Sequence, residues 1–225
     1  MKMNIILCAL VATTLIFTSC DNGTTATEQA KSDSTKMNKT DTADNKMNMG
    51  DMKKMDNGLM ASMNNMIGKM SDMKMTGDFD IDFASMMIAH HQGAIDMSEA
   101  EIKSGKDEKI KAMAQNIITK QKEEQSKLRD IVKTKKLMKM NMGQGDALNK
   151  DMNEMKANMS TMKMSGNTDK DFVMMMLSHH ESAIKMAKTE LSNGMNAELK
   201  QIAKNIIGDQ TKGIGEFKNW LSANK

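Results

Sequence analysis

His90 and His91 recur as His179 and His180, and the same offset of 89 residues maps Met63, Met66, Met70, Met73 and Met75 onto Met152, Met155, Met159, Met162 and Met164 without a gap. It also carries Asp80, Phe83, Met86, Met87, Ala94, Ile95, Met97, Glu101 and Gly105 onto Asp169, Phe172, Met175, Met176, Ala183, Ile184, Met186, Glu190 and Gly194. Self-similarity at a fixed offset marks one supersecondary unit used more than once, whose copies bury their apolar faces on each other. Whatever one copy folds into, the other repeats.

Each copy reads as three helices, and no stretch has a convincing strand pattern. The first helix carries a methionine stripe at i, i+3, i+7 and i+10, Met63 to Met73 and Met152 to Met162, which is one face of a 3.6-residue period. The second starts among acids that suit a helix N-terminus, Asp78 to Asp82 and Asp169 to Asp171. It stops at Gly105 or Gly194, where a left-handed residue can end a helix. The third has Ile110, Met113, Ala114, Ile117, Ile118 and Gln121 in one copy and Leu199, Ile202, Ala203, Ile206, Ile207 and Gln210 in the other. The fold expected is all-α: a four-helix bundle of two hairpins, 78–104 with 106–135 and 169–193 with 195–222, plus extra Met-rich helices. The long crossover between hairpins makes the two histidine helices antiparallel and brings both histidine pairs to one level.

The N-terminus has a different character. Lys2, an apolar stretch from Ile5 to Phe17 and then Thr18, Ser19 and Cys20 have the order of a secretory signal, too short for a permanent span. A cysteine directly after small residues suggests a lipoprotein signal over 1–19, with Cys20 lipidated as the mature N-terminus. Residues 20–57 are too polar to order themselves and read as a tether. Helical repeat one then covers 58–135, and crossover plus repeat two 136–225, with 58–225 one compact helical domain. The chain is expected at the cell envelope, lipid-anchored and facing the periplasm or exterior. A net charge of +3, with lysines and acids interspersed, carries no nucleic-acid footprint.

Methionine is the outlier, 30 residues against 11 leucines. Of the two cysteines, Cys8 leaves with the signal and Cys20 is consumed by lipid, so soft-metal chemistry in the mature domain must use thioethers. Met86 and Met87 precede His90 and His91 by one helical turn, and Met97 follows on a similar bearing. Met175, Met176 and Met186 repeat this around His179 and His180. Thioether sulfur suits copper(I) and silver(I) and is a poor ligand for calcium, magnesium or zinc, while imidazole is compatible with copper and zinc alike. The combination favours copper(I) or silver(I). The bland reading of a methionine stripe is core filler, and it competes evenly for Met63 to Met73 and Met152 to Met162. It explains less for Met47, Met49, Met52 and Met55 at the end of the tether and for Met138, Met140 and Met142 in the crossover, which stand among polar residues and read as auxiliary metal ligands. Glu101 and Glu190 read as solvated or capping charges.

At these residues the chain resembles a known family. The pattern D-x-x-F-x-x-M-M-x-x-H-H-x-x-A-I-x-M, present as Asp80 to Met97 and again as Asp169 to Met186, resembles domain-of-unknown-function family 305 over about Asp78 to Leu221. The resemblance implies a ferritin-like bundle and extracytoplasmic copper or silver binding through Met and His. The chain departs from the family at one point: Gln121 is followed by Glu124, but Gln210 by Gly213. The expectation is a metal-binding protein for sequestration, resistance or transfer and not an enzyme, with the ion and a copper-handling protein as partners. The alternative, a ferritin-like oxidoreductase with an iron or copper centre, needs Glu-x-x-His pairs for a di-iron site. The sequence has no E-x-x-H.

Overall fold

The computed structural model describes residues 57–136 and 145–224. The 1–19 signal, Cys20, the tether up to residue 56 with Met47 to Met55, and Met138 to Met142 lie outside the described residues. Among the described residues are six α-helices and no strand: α1 Asn57–Ser71, α2 Phe79–Ser104, α3 Glu108–Thr134, α4 Gly145–Ser160, α5 Thr168–Asn193 and α6 Ala197–Ala223. α2 packs on α3, α5 on α6, and α2 on α5; α1 lies on α2, α4 lies on α5, and α1 and α4 touch. This is a ferritin-like four-helix bundle of two tandem repeats, with two further Met-rich helices laid over the histidine helices.

Local sequence sets the helix starts in pairs. Asp78 caps α2 by accepting from Ile81 N–H, and its equivalent Asn167 caps α5 by accepting from Lys170 N–H. Asp107 and its equivalent Asn196 each accept two N–H bonds at the starts of α3 and α6. Such a cap contributes about 1 kcal/mol. Asp82 folds the approach to α2 by accepting from Thr76 N–H, Thr76 Oγ and Gly77 N–H, and Asp171 does the same with Ser165 and Gly166. Gly77 and Gly166 both have φ of 82°, the left-handed region that makes glycine the natural residue there.

Two crossed junctions hold the repeats antiparallel. Asp80, at the start of α2, accepts from Met195 and Asn196 N–H, just past the end of α5. Asp169, at the start of α5, accepts from Lys106 and Asp107 N–H, just past the end of α2. Each carboxylate thus satisfies backbone donors of the opposite repeat, and the two histidine helices run in opposite directions as the crossover requires.

Three expectations need correction. Gly105 and Gly194 are not left-handed: their φ,ψ are −68°,160° and −66°,157°. Glycine is needed there because the Glu101 and Glu190 carboxyls fold back over it, and a Cβ would lie 2.0 Å and 2.1 Å from their Oε1 atoms. Those two glutamates are therefore fully buried instead of solvated. Finally, α1 ends at Ser71, so Met73 follows the helix instead of extending its stripe. Met63, Met66 and Met70 are core, as are Met152, Met155 and Met159. Met66 lies in a notch of α2 that only Gly93 leaves open, since a Cβ would meet its sulfur at 2.3 Å.

Candidate metal centre

α2 packs against α1, α3 and α5, and α5 against α4, α6 and α2, so each leaves only one polar stripe to solvent. Successive helical residues point about 100° apart, so adjacent histidines must meet different neighbours. His90 turns to α5, where its ring lies 3.7 Å from that of His179 between centroids, tilted by 35°. His91 turns to α3 and places Nε2 2.7 Å from Oε2 of Glu124, an ion-pair distance at an angle that is not a hydrogen bond's. His180 turns to α6, against Gly213 and the Phe217 ring, 5.6 Å away between centroids. Within each pair the rings are 6.4 Å and 6.2 Å apart. The antiparallel placement brings the four imidazoles to one level, as the duplication requires.

Burial holds His90, His179 and His180 neutral. Burial drives His90 and His180 well below the ordinary histidine range, and neighbouring imidazoles add to the effect. His179 falls to about 3 through burial, although its bond to the His90 carbonyl pulls the other way. That bond, His179 Nε2–H to His90 O at 2.9 Å, puts the proton on Nε2 and leaves the Nδ1 lone pair free. Both ring nitrogens of His90, and Nδ1 of His91, His179 and His180, are buried without a hydrogen-bond partner. An unpaired buried polar group costs about 1–3 kcal/mol. Several in one place are hard to account for as packing and are what a soft cation would satisfy.

Met86, Met87, Met97, Met175, Met176 and Met186 are all fully buried in the same core. The six predicted methionines thus belong to the core shared by the two repeats, and the four predicted histidines meet at its axis. Among the described residues no three His, Cys, Asp or Glu side chains form a group able to hold a metal ion.

The sequence pattern singles out Gln121, Gln210 and the Glu124 to Gly213 difference but does not place them at the site. Gln121 and Gln210, 89 residues apart, are buried with unpartnered Oε1 atoms and line a cavity of about 50 Å³ between α3 and α6, together with Glu124, His180 and Gly213. A glutamine recurring at the same place in an otherwise apolar stripe was the available signal. Lys120 and Asp209, also equivalent positions, pair across the two helices at 2.8 Å.

The fold and this cluster define a class: a two-repeat helical bundle with buried histidines at its pseudo-twofold axis. The chain belongs to the family described as "Domain of unknown function (DUF305)", which matches it twice, over residues 22–132 and 80–221. The two matches end at equivalent positions of the two repeats. No curated protein matches the chain. Similar solved structures include CopM in the Cu(II)-bound form, at 28% identity and a TM-score of 0.50, covering 65% of this chain and 97% of that one. CopM in the Ag-bound form obtained by soaking covers 67% and 98% at a TM-score of 0.49, and the Cu(I)-bound form 64% and 96% at 0.49, both at 28% identity.

Proposed function

We propose that the chain binds copper(I), or silver(I) in its place, in the middle of the bundle through His90, His91, His179 and His180 with Met86, Met87, Met97 and their equivalents Met175, Met176 and Met186. The observation that carries this reading is the set of buried imidazoles with unpaired nitrogens in a core that also buries six thioethers. Neutral nitrogen and thioether sulfur need lose no proton to bind, so affinity persists into acid. The similar CopM structure that holds Cu(II) supports copper as the metal. In this reading copper is cargo, sequestered or passed on at the cell envelope, with Cys20 as lipid anchor and no reaction catalysed. No observation favours the oxidoreductase alternative.

Anaerobic competition with a chromophoric copper(I) chelator tests this, with zinc as comparison. Copper(I) should bind far more tightly than zinc; equal affinities sink the soft-site reading. Replacing the axial pair, His90→Leu with His179→Leu, should weaken the tightest step by roughly 100-fold or more, since ligands themselves matter at least as much as the groups that orient them. Helicity should hold, because apolar side chains of similar size remove buried unpaired nitrogens.

A further inference from the structure

The imidazole cluster is closed almost all the way round: His90, His91 and His179 have no exposure, while His180 keeps 3%. We propose that the metal reaches and leaves this cluster between α3 and α6 on the side of repeat two, with His180 the first ligand it meets and Gly213 the position that keeps the way open. This deepens the copper(I) reading and rests on it.

The asymmetry of the two repeats carries the argument. In repeat one the outer histidine is stoppered, because Glu124 brings its carboxylate to 2.7 Å from His91 Nε2. In repeat two the equivalent of Glu124 is Gly213, and the His180 ring occupies the space a side chain would need. A Cβ there would lie 2.8 Å from both Cδ2 and Nε2 of His180. Next to this edge is the cavity of about 50 Å³, partly polar and larger than the minimum of about 10–15 Å³ that one water requires. Its walls offer a graded exchange of ligands: Glu124 and the unpartnered Oε1 atoms of Gln121 and Gln210 can replace water on an arriving ion, the Met113 thioether is soft, and His180 leads inward. The only ion pair crossing the mouth, among the described residues, is Lys120 to Asp209, whose side chains are 42% and 43% exposed. Such a pair opens at little cost.

Two measurements on the full chain test the route. Imidazole C2 hydrogen exchange, read by mass spectrometry, needs no metal and should be roughly tenfold faster at His180 than at His90, His91 or His179, as expected for a site that water reaches without sub-global opening. Stopped-flow silver(I) loading should slow by roughly tenfold or more in Gly213→Ala, where the added Cβ overpacks the His180 edge. Gly215→Ala, whose Cβ would meet nothing within 4 Å, should load like the wild type. Glu124→Ala should unstopper repeat one and raise exchange at His91 toward that of His180, and this variant decides the matter if Gly213→Ala does not fold. Equal exchange at all four histidines, or unchanged loading in Gly213→Ala, overturns the route while leaving silver binding intact. A wild-type chain that takes up no silver overturns the copper(I) reading, and the route with it.

Discussion

Repeat one and repeat two use the same residues in the histidine layer and at the junction carboxylates, and different ones at several places further out. On the axis His90 stacks on His179, and at the two junctions Asp80 and Asp169 each accept two N–H groups of the opposite repeat. Away from the axis Glu124 stands opposite Gly213, Lys135 opposite Asn224, and the capping aspartates Asp78 and Asp107 opposite the asparagines Asn167 and Asn196. A position that meets its own duplicate is doubly restricted, since a change in one copy must fit the other. An outer position is free to diverge, and here divergence has left one outer histidine stoppered and the other open.

The glycines after α2 and α5 give the severest test of how alike the junctions are. A Cβ on Gly105 or Gly194 would fall about two ångströms from a buried glutamate oxygen, at 2.0 Å and 2.1 Å. Alanine at either position should therefore cost about 3 kcal/mol, the upper end for overpacking, measured by urea denaturation. Equal losses would make the junctions mechanically equivalent. If one alanine is tolerated, the carboxyl beneath it can leave, and the pseudo-symmetry is only apparent.

The junction at Asp80 should also carry a pH signature. Burial pushes the Glu190 carboxyl up to about 9 from an ordinary 4.5, and the Asp80 carboxylate adds to this. The folded state thus holds a proton that the unfolded chain has released above pH 4.5, so this contribution to stability is complete below about 4.5 and is lost as pH rises toward 9. The slope is at most about 1.4 kcal/mol per pH unit. Asp80 and Lys135 do not obscure it. Burial alone would raise Asp80, but Lys135 and the Met195 and Asn196 N–H groups hold it below 3.8. Burial alone would lower Lys135, but Asp78 and Asp80 hold it above 10.5. The depressed acid therefore loses its contribution only as pH falls below 3.8, and the raised base only above 10.5. The depressed histidines His90, His179 and His180 give a slope of the opposite sign up to about 6.5, so the clean window lies above it. Glu190→Gln should flatten the stability profile between about pH 7.5 and 8.5, and a slope that survives there belongs elsewhere.

Much of this architecture was legible in the chain. An ungapped 89-residue offset imposes pseudo-twofold symmetry on any compact fold, and the capping residues and glycines marked the hairpin ends to within a few residues. What each histidine faces was not legible. α2 and α5 each keep one polar stripe, Gln92, Asp96, Glu99 and Lys103 and their equivalents Glu181, Lys185, Lys188 and Ser192. The rest of each helix packs against three neighbours, and the sequence does not say which neighbour each histidine meets. The buried glutamates were misjudged for a related reason: an isolated carboxylate is costly to bury, and only the partner across the junction, distant in sequence, makes Glu190 tolerable as a protonated group. The glycine beside it was visible but pointed to a helix stop. It marks room for the carboxyl.

Lys135 against Asn224 is the mildest contrast and the one that can be turned round. Lys135 Nζ reaches Asp78 at 2.6 Å and Asp80 at 2.8 Å with its side chain only 11% exposed. Asn224 instead donates to the Trp220 carbonyl at 2.8 Å and is exposed. Lys135→Met keeps most of the aliphatic stem while removing the charge, leaving two buried carboxylates with their N–H donors alone, and should cost about 1–2 kcal/mol. Asn224→Ala should stay within about 0.5 kcal/mol, as surface changes usually do. If the junctions are geometrically alike, Asn224→Lys should bring an ammonium toward Asp169 and Asn167, pairing with the former as Lys135 pairs with Asp80. The gain should be small, up to about 1 kcal/mol, and should vanish in Asn224→Lys, Asp169→Asn. A gain that persists without Asp169 comes from α6 itself, whose C-terminal end favours any cation, and the symmetry of the junctions then stops short of their outer edge.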